Sequence, residues 1–174
     1  MYVLLNGSFG IGKSRVAREL RRVLPGSVIA DPEWIGVLLQ RVARRHRSDF
    51  QHDPLWRRLA VAWARVLGRF SSSVIIPMAF SDLTLLEEIR VGLAADRRPV
   101  LHFCLTAPLH VVRERLTERG EPIGDGRWSW VHCRAAECCA AHASPAFAER
   151  VSTVGRAPET VAAFLAARLG HTAE

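Results

Sequence analysis

Residues Gly7-Ser8-Phe9-Gly10-Ile11-Gly12-Lys13-Ser14 bring three glycines, a lysine and two hydroxyls into one short stretch. Glycine lets the backbone enter turns closed to other residues and come close to a ligand. Main-chain N–H groups freed in such a turn form a nest for an anion. A helix that starts at the lysine aims its positive end at the same spot. Lys13 then adds a full charge among phosphates, and Ser14 offers Mg²⁺ a hydroxyl ligand. The spacing fits G-x-x-x-x-G-K-[ST], the P-loop, whose chemistry is to hold nucleotide phosphates. Gly7, Ser8, Phe9, Gly10, Ile11, Gly12, Lys13 and Ser14 are therefore the expected ATP contacts. Lys13 is also the chain's only lysine; every other basic charge, histidine aside, is arginine.

An acid is needed next, and Asp31 follows the apolar run "SVIA". At the end of a strand it faces a P-loop across one sheet edge. There it can accept a hydroxyl proton or orient water on Mg²⁺, so Ser14 and Asp31 are the expected metal contacts. Asp31 can equally cap the helix that Pro32 begins. Glu33 is a second acid of the same kind. No acid ends the third or fourth apolar run, "IIPM" and "CLTAP", which argues against a motor ATPase or switch GTPase. The stretch "DFQHDPLWR" mixes acid, amide, aromatic and arginine. Asp49, Gln51, Trp56 and Arg57, with Asp31 and Glu33, are the expected acceptor contacts. Arg113, Arg115, Arg119, Arg127 and Arg134 cluster later and are candidates to close over a transferring phosphoryl group. His132, Cys133, Cys138, Cys139 and His142 lack a C-x₂-C pair. The cysteines read as small buried residues, and the group not as a zinc site.

The elements that must position these groups alternate. "MYVLLN", "SVIA", "SSVIIPM", "PVLHFCL" and, more weakly, "ERVSTVG" read as buried strands. Helical spacing follows each one. Val16, Ala17, Leu20, Val23 and Leu24 share a face, as do Trp34, Ile35, Leu38, Leu39 and Val42 after Pro32. Leu55, Leu59, Ala62, Trp63, Val66, Leu67 and Phe70 follow Pro54. Thr84 with Glu87 resembles a capping box for a helix through Ile89 and Leu93. Pro108 opens a helix through Leu116, Ser129 one to about His142, and Pro158 the last. "GEPIGDGRW" is the least ordered stretch by composition. Buried strands alternating with amphipathic helices make an α/β fold, a parallel sheet with helices on both faces.

The chain has 174 residues and is 49% hydrophobic, which suits one domain with a sizeable core, residues 1–174, and excludes a disordered chain. No apolar run reaches the roughly 20 residues of a membrane span, and no cleavable leader precedes the motif, so a cytoplasmic location is expected. A net charge of +7 suits anionic partners. No helicase-like motif or RNA module accompanies it, so a small molecule is the expected partner, with no nucleic acid, in a monomer or dimer. Four cysteines, two of them adjacent, argue against a disulfide framework.

"NGSFGIGKS", "DPEWIG", "DFQHDPLWR", "SSVIIPMAF" and "SPAF" together resemble the tunicamycin-resistance ATP-binding proteins, from Met1 to about residue 165. That family is similar in fold to nucleoside monophosphate kinases and to antibiotic kinases such as chloramphenicol phosphotransferase. The resemblance implies a three-layer P-loop kinase fold with a five-stranded parallel sheet, ATP at Gly7 to Ser14, and a lid near residues 120–130. It also implies Arg119 against adenine, and the loop near Arg156 edging the base. Family members protect against a nucleoside antibiotic. Two functional classes follow: a kinase that phosphorylates such a nucleoside from ATP and Mg²⁺, an ordinary nucleoside or nucleotide kinase being a variant, or an ATP-dependent protein that binds the antibiotic without turnover.

Overall fold

The structure, a computed structural model, describes residues 1–36, 50–121, 123–124 and 127–171. Strand β1, Tyr2–Gly7, is buried along its whole length. Successive side chains of a strand point to opposite faces. Val3 and Leu5 thus enter one core with Ile75, Phe103, Leu105 and Val151. Tyr2 and Leu4 enter a second core with Val74, Ile76 and Cys104 on the other face. A strand buried on both faces cannot alternate apolar with polar residues, which is why these runs read as continuous.

Five strands form the parallel sheet in the order β2-β3-β1-β4-β7, with β2 at Ser27–Ile29, β3 at Ser73–Met78, β4 at Val100–Thr106 and β7 at Glu149–Ser152. Helices α1 (Lys13–Val23), α4 (Leu109–Glu118) and α6 (Pro158–His171) supply Val16, Leu20, Leu116 and Leu165 to the first core. Helices α2 (Pro54–Gly68) and α3 (Leu83–Ala94) cover the other face through Trp56, Ala60, Ala64, Leu86, Ile89 and Leu93. Helix α5, Trp130–Ala141, packs against α4 and places Cys138 beside the Ala79 carbonyl just beyond β3. All five expected strands and the parallel, helix-flanked sheet are present. None of the described helices is long and apolar enough to cross a membrane.

Three local expectations are corrected. The cap of α3 is Asp82, whose carboxylate accepts from the Thr84 and Leu85 amides, so Thr84 lies inside the first turn. Asp82 sits one residue ahead of the helix, where a side-chain acceptor reaches the free N–H groups. The insert after α4 contains a small antiparallel pair, β5 (Ile123–Gly124) with β6 (Arg127–Trp128). Trp34, expected on a buried stripe, is 73% exposed. The helix after Pro32 is described only over residues 33–36, so Leu38, Leu39 and Val42 lie outside the described residues.

One buried amide ties the centre of the sheet to the segment that follows β3. Asn6 Oδ1 accepts from the Phe80 amide at 2.9 Å, and Asn6 Nδ2 donates to the Phe80 carbonyl at 3.1 Å. His142 Nε2 lies 2.7 Å from the same carbonyl, which makes that nitrogen a donor. Replacing Asn6 leaves a buried N–H without its acceptor. Asn6→Ala is expected to lower unfolding free energy by about 1–3 kcal/mol, measured by urea denaturation. An unchanged midpoint would show that Phe80 finds another partner.

Candidate functional site

The loop between β1 and α1 folds as a cradle because glycine stands where other residues fail. Gly10 has φ +75°, and a Cβ there would meet Leu116 Cγ at 2.7 Å and the Val112 carbonyl oxygen at 3.1 Å. Gly12 has φ +101° and is the residue that caps α1, with no side chain to cap it. The first N–H groups of α1 therefore receive no side-chain acceptor, and they open towards the loop with the helix's positive end. Gly12 has nothing within 4 Å of its notional Cβ, so the mouth of the cradle is open.

Lys13 is only 8% exposed. Its Nζ donates to the Ser8 carbonyl at 2.8 Å and stands 5.5 Å from the centre of the Phe9 ring. Phe9 packs edge-on against Trp130, with ring centres 5.6 Å apart. Burial lowers the Lys13 pKa from its ordinary value, opposed by the nearby Glu33 and Asp31 carboxylates and helped by Arg119. Ser14 is exposed on the first turn of α1, free to present its hydroxyl.

Asp31 and Glu33 stand on the turn after β2. Asp31 Oδ1 accepts from the Glu33 amide at 3.0 Å, so it does cap this turn, which leaves Oδ2 for other work. Burial raises the Asp31 pKa, against that amide bond and the Lys13 charge, which both favour the carboxylate. Glu33 keeps water-exposed surface but stands in a crowded recess. Desolvation raises its pKa, Lys13 lowers it, Asp31 raises it and Arg119 lowers it. The two acids are thus coupled to the lysine, and Glu33 is the stronger of the two influences on it.

Residues 3–143 match the family described as AAA domain. The chain belongs to that AAA domain family. No curated protein gives a significant match. Among solved structures, the tunicamycin resistance protein of Deinococcus radiodurans is similar at 29% identity and TM-score 0.77, over 97% of this chain and 95% of that one. A shikimate kinase of Acinetobacter baumannii, solved with shikimate, superposes with TM-score 0.61 at 14% identity, over 99% and 95% of the two chains. A gluconokinase of Sinorhizobium meliloti gives TM-score 0.60 at 16% identity, over 99% and 97%. These last two share the fold, a P-loop kinase fold.

Three of the expected acceptor contacts of this AAA domain, Gln51, Trp56 and Arg57, bond the protein's own backbone. Gln51 Nε2 donates to the Ala79 carbonyl at 2.8 Å. Trp56 is buried, with Nε1 on the Pro32 carbonyl at 3.0 Å and its ring 6.1 Å from that of Phe80. Arg57 donates to the Gln51 carbonyl at 2.5 Å and pairs with Glu88 at 2.6 Å. All three brace the wall beside Asp31, because the loop carbonyls there need donors once water is excluded. Asp49 lies outside the described residues.

The arginines divide in the same way. Arg115 bonds Ile11 and Thr153, and Arg134 pairs with Glu137, so both are engaged within the protein. Arg119 is exposed at the end of α4, near enough to influence Lys13 and Glu33, and Arg156 is exposed on the turn after β7. His132, Cys138 and His142 are buried, whereas Cys133 is exposed. Trp34 is exposed beside the two acids, where the helical stripe pointed to burial. It follows Glu33 directly, and an aromatic beside two acids after a proline was its only signal.

The sign of the acid shifts sets a test. A carboxyl whose folded pKa is raised above its unfolded value binds more protons in the folded state between the two values. Its contribution to stability is present below the unfolded value and is lost as pH rises through the folded one. Glu33→Gln is therefore expected to melt above the wild type at pH 7, with the gap closing as pH falls below the ordinary glutamate value. Scanning calorimetry across pH checks this; a variant that melts lower at pH 7 would show Glu33 to be stabilised as a charge.

Proposed function

We propose that this protein binds ATP and transfers its γ-phosphoryl group to a hydroxyl of a small nucleoside-type molecule, an antibiotic such as tunicamycin. One observation carries the reading. The uncapped start of α1, the buried Lys13 and two acids with raised pKa values converge at one end of a parallel sheet. Ligands of open α/β sheets bind at that edge, where strand order reverses. Here the chain passes from β3 to β4 across β1.

The loop amides and Lys13 suit the phosphates. Mg²⁺, held by the Ser14 hydroxyl and Asp31, would neutralise charge on the phosphate oxygens. Arg119 and the turn bearing Arg156 flank the base. Asp31 takes the acceptor's hydroxyl proton, the freed oxygen bonds to the γ-phosphorus, and ADP leaves with the electrons of the broken bond. Trp34 offers the exposed aromatic face for the acceptor, with Gln51, Trp56 and Arg57 holding the wall behind it. The tunicamycin resistance protein of D. radiodurans supplies the substrate class. We assign the activity to the cytoplasm, where ATP is available.

The deciding experiment incubates the protein with ATP, Mg²⁺ and a panel of nucleosides that includes tunicamycin, and weighs each acceptor by mass spectrometry. A gain of one phosphoryl group is expected. Tight, ATP-dependent binding with no mass gain would replace this reading with sequestration. Lys13→Met should weaken ATP binding by about 10-fold or more in calorimetry, without loss of melting temperature, because a buried charge is removed. Unchanged ATP affinity in that folded variant would end the phosphate-site assignment.

The acid has its own signature. In the wild type, transfer should rise with pH as the raised Asp31 carboxyl loses its proton. Asp31→Asn keeps the bond to the Glu33 amide but cannot accept the proton. It should cut transfer by about 10²-fold or more and flatten that limb of the pH profile, with ATP affinity retained. Full activity in Asp31→Asn would leave Asp31 as a cap alone and move the proton to Glu33.

A further inference from the structure

The turn after β7 is tied to the phosphate loop by a single side chain from a third element. Arg115, on α4, donates from Nη1 to Thr153 Oγ1 at 2.9 Å and from Nη2 to the Thr153 carbonyl at 3.0 Å. The same Nη1 reaches the Ile11 carbonyl of the phosphate loop at 3.4 Å. Thr153 is buried, and its amide donates to the Thr106 carbonyl at the end of β4 at 2.9 Å. Its carbonyl also accepts from the Arg156 amide at 3.5 Å.

The guanidinium is planar, with its donors in a fixed fork, so bonding two oxygens of one residue sets the angle of that turn. The phosphate loop depends on it far less. Ile11 donates to the Ser8 carbonyl at 3.3 Å, Lys13 Nζ donates to the same carbonyl at 2.8 Å, and Arg15 and Val16 both donate to the Gly12 carbonyl at 3.0 Å. Loss of Arg115 should therefore free the turn and leave the loop in place.

We propose that Arg115 is a positioning residue that fixes the turn 153–156 against the phosphate loop, so that a nucleotide's base and phosphates are held in one register. The proposal rests on the nucleotide reading given above. It predicts a split between two ligands. ATP uses both the loop and the turn, whereas inorganic tripolyphosphate uses the loop alone.

Calorimetry with Mg²⁺-ATP and Mg²⁺-tripolyphosphate, well below the melting temperature, tests it. Arg115→Ala should weaken ATP by about 10-fold or more and tripolyphosphate by less than about 3-fold, the scale of losing charged hydrogen bonds on one side only. Arg115→Lys should not restore ATP affinity, because one ammonium cannot fill both Thr153 oxygens at the set angle. Thr153→Val, which keeps the arginine, should weaken ATP in the same direction, and Thr153→Ser should restore it. Should Arg115→Ala fail to fold, the Thr153 pair decides alone. Equal weakening of both ligands, or a lower melting temperature with ATP affinity unchanged, overturns the proposal in favour of a purely structural arginine. A wild type that binds neither ligand instead removes the nucleotide site itself.

Discussion

The open N-terminus of α1 is the constraint from which the rest of this molecule follows. Every helix begins with N–H groups that have no partner within it. Asp53, Asp82 and Ser129 supply side-chain acceptors for α2, α3 and α5. Gly12 has no side chain to offer, and its left-handed conformation turns the loop back over the helix end. What remains is a concentrated patch of donors and positive potential at the centre of the sheet. Such a patch is stable when an anion fills it, and a phosphate has the size and charge to do so.

Burial opposes the charged forms of the ionisable groups around that patch. Lys13 is buried with its pKa lowered, and Asp31 and Glu33 are held with theirs raised. Each shift says that the ionised form is less comfortable here than in water. Perturbed groups collected at one sheet edge are the pattern that candidate ligand sites carry. The rest of the sheet compensates through two continuous apolar cores and through Asn6, which closes the buried polar groups of Phe80.

A second regularity concerns the loops at the same edge. Loop carbonyls near this edge receive bonds from long side chains and not from a neighbouring strand. Gln51 serves Ala79, Trp56 serves Pro32, Arg57 serves Gln51, and Arg115 serves Ile11 and Thr153. These long polar side chains resemble substrate contacts in a list of residues. In space they hold the loops at this edge in place through backbone carbonyls. Ser14, Glu33, Trp34, Arg119 and Arg156 are exposed.

The order of elements was legible in the chain because both of its signals are local. Strands such as Tyr2–Gly7 and Ser73–Met78 are buried on two faces, so they are apolar throughout, and the glycine spacing after β1 has few other uses. Local chemistry also marked Asp31, because a strand's end and a following proline are read from adjacent residues. The partners of Gln51, Trp56, Arg57 and Arg115 were not legible. Each bonds a backbone carbonyl or carboxylate brought near by the crossing of strands, and a side chain's type does not say which distant carbonyl will lack a donor. The same limit applies to Trp34, whose place in a helical stripe suggested burial. The alternation of apolar and polar residues determined which segments meet in the sheet. Only the packed molecule decided which polar groups are left over to act, because satisfying buried backbone groups takes first claim on every side chain within reach.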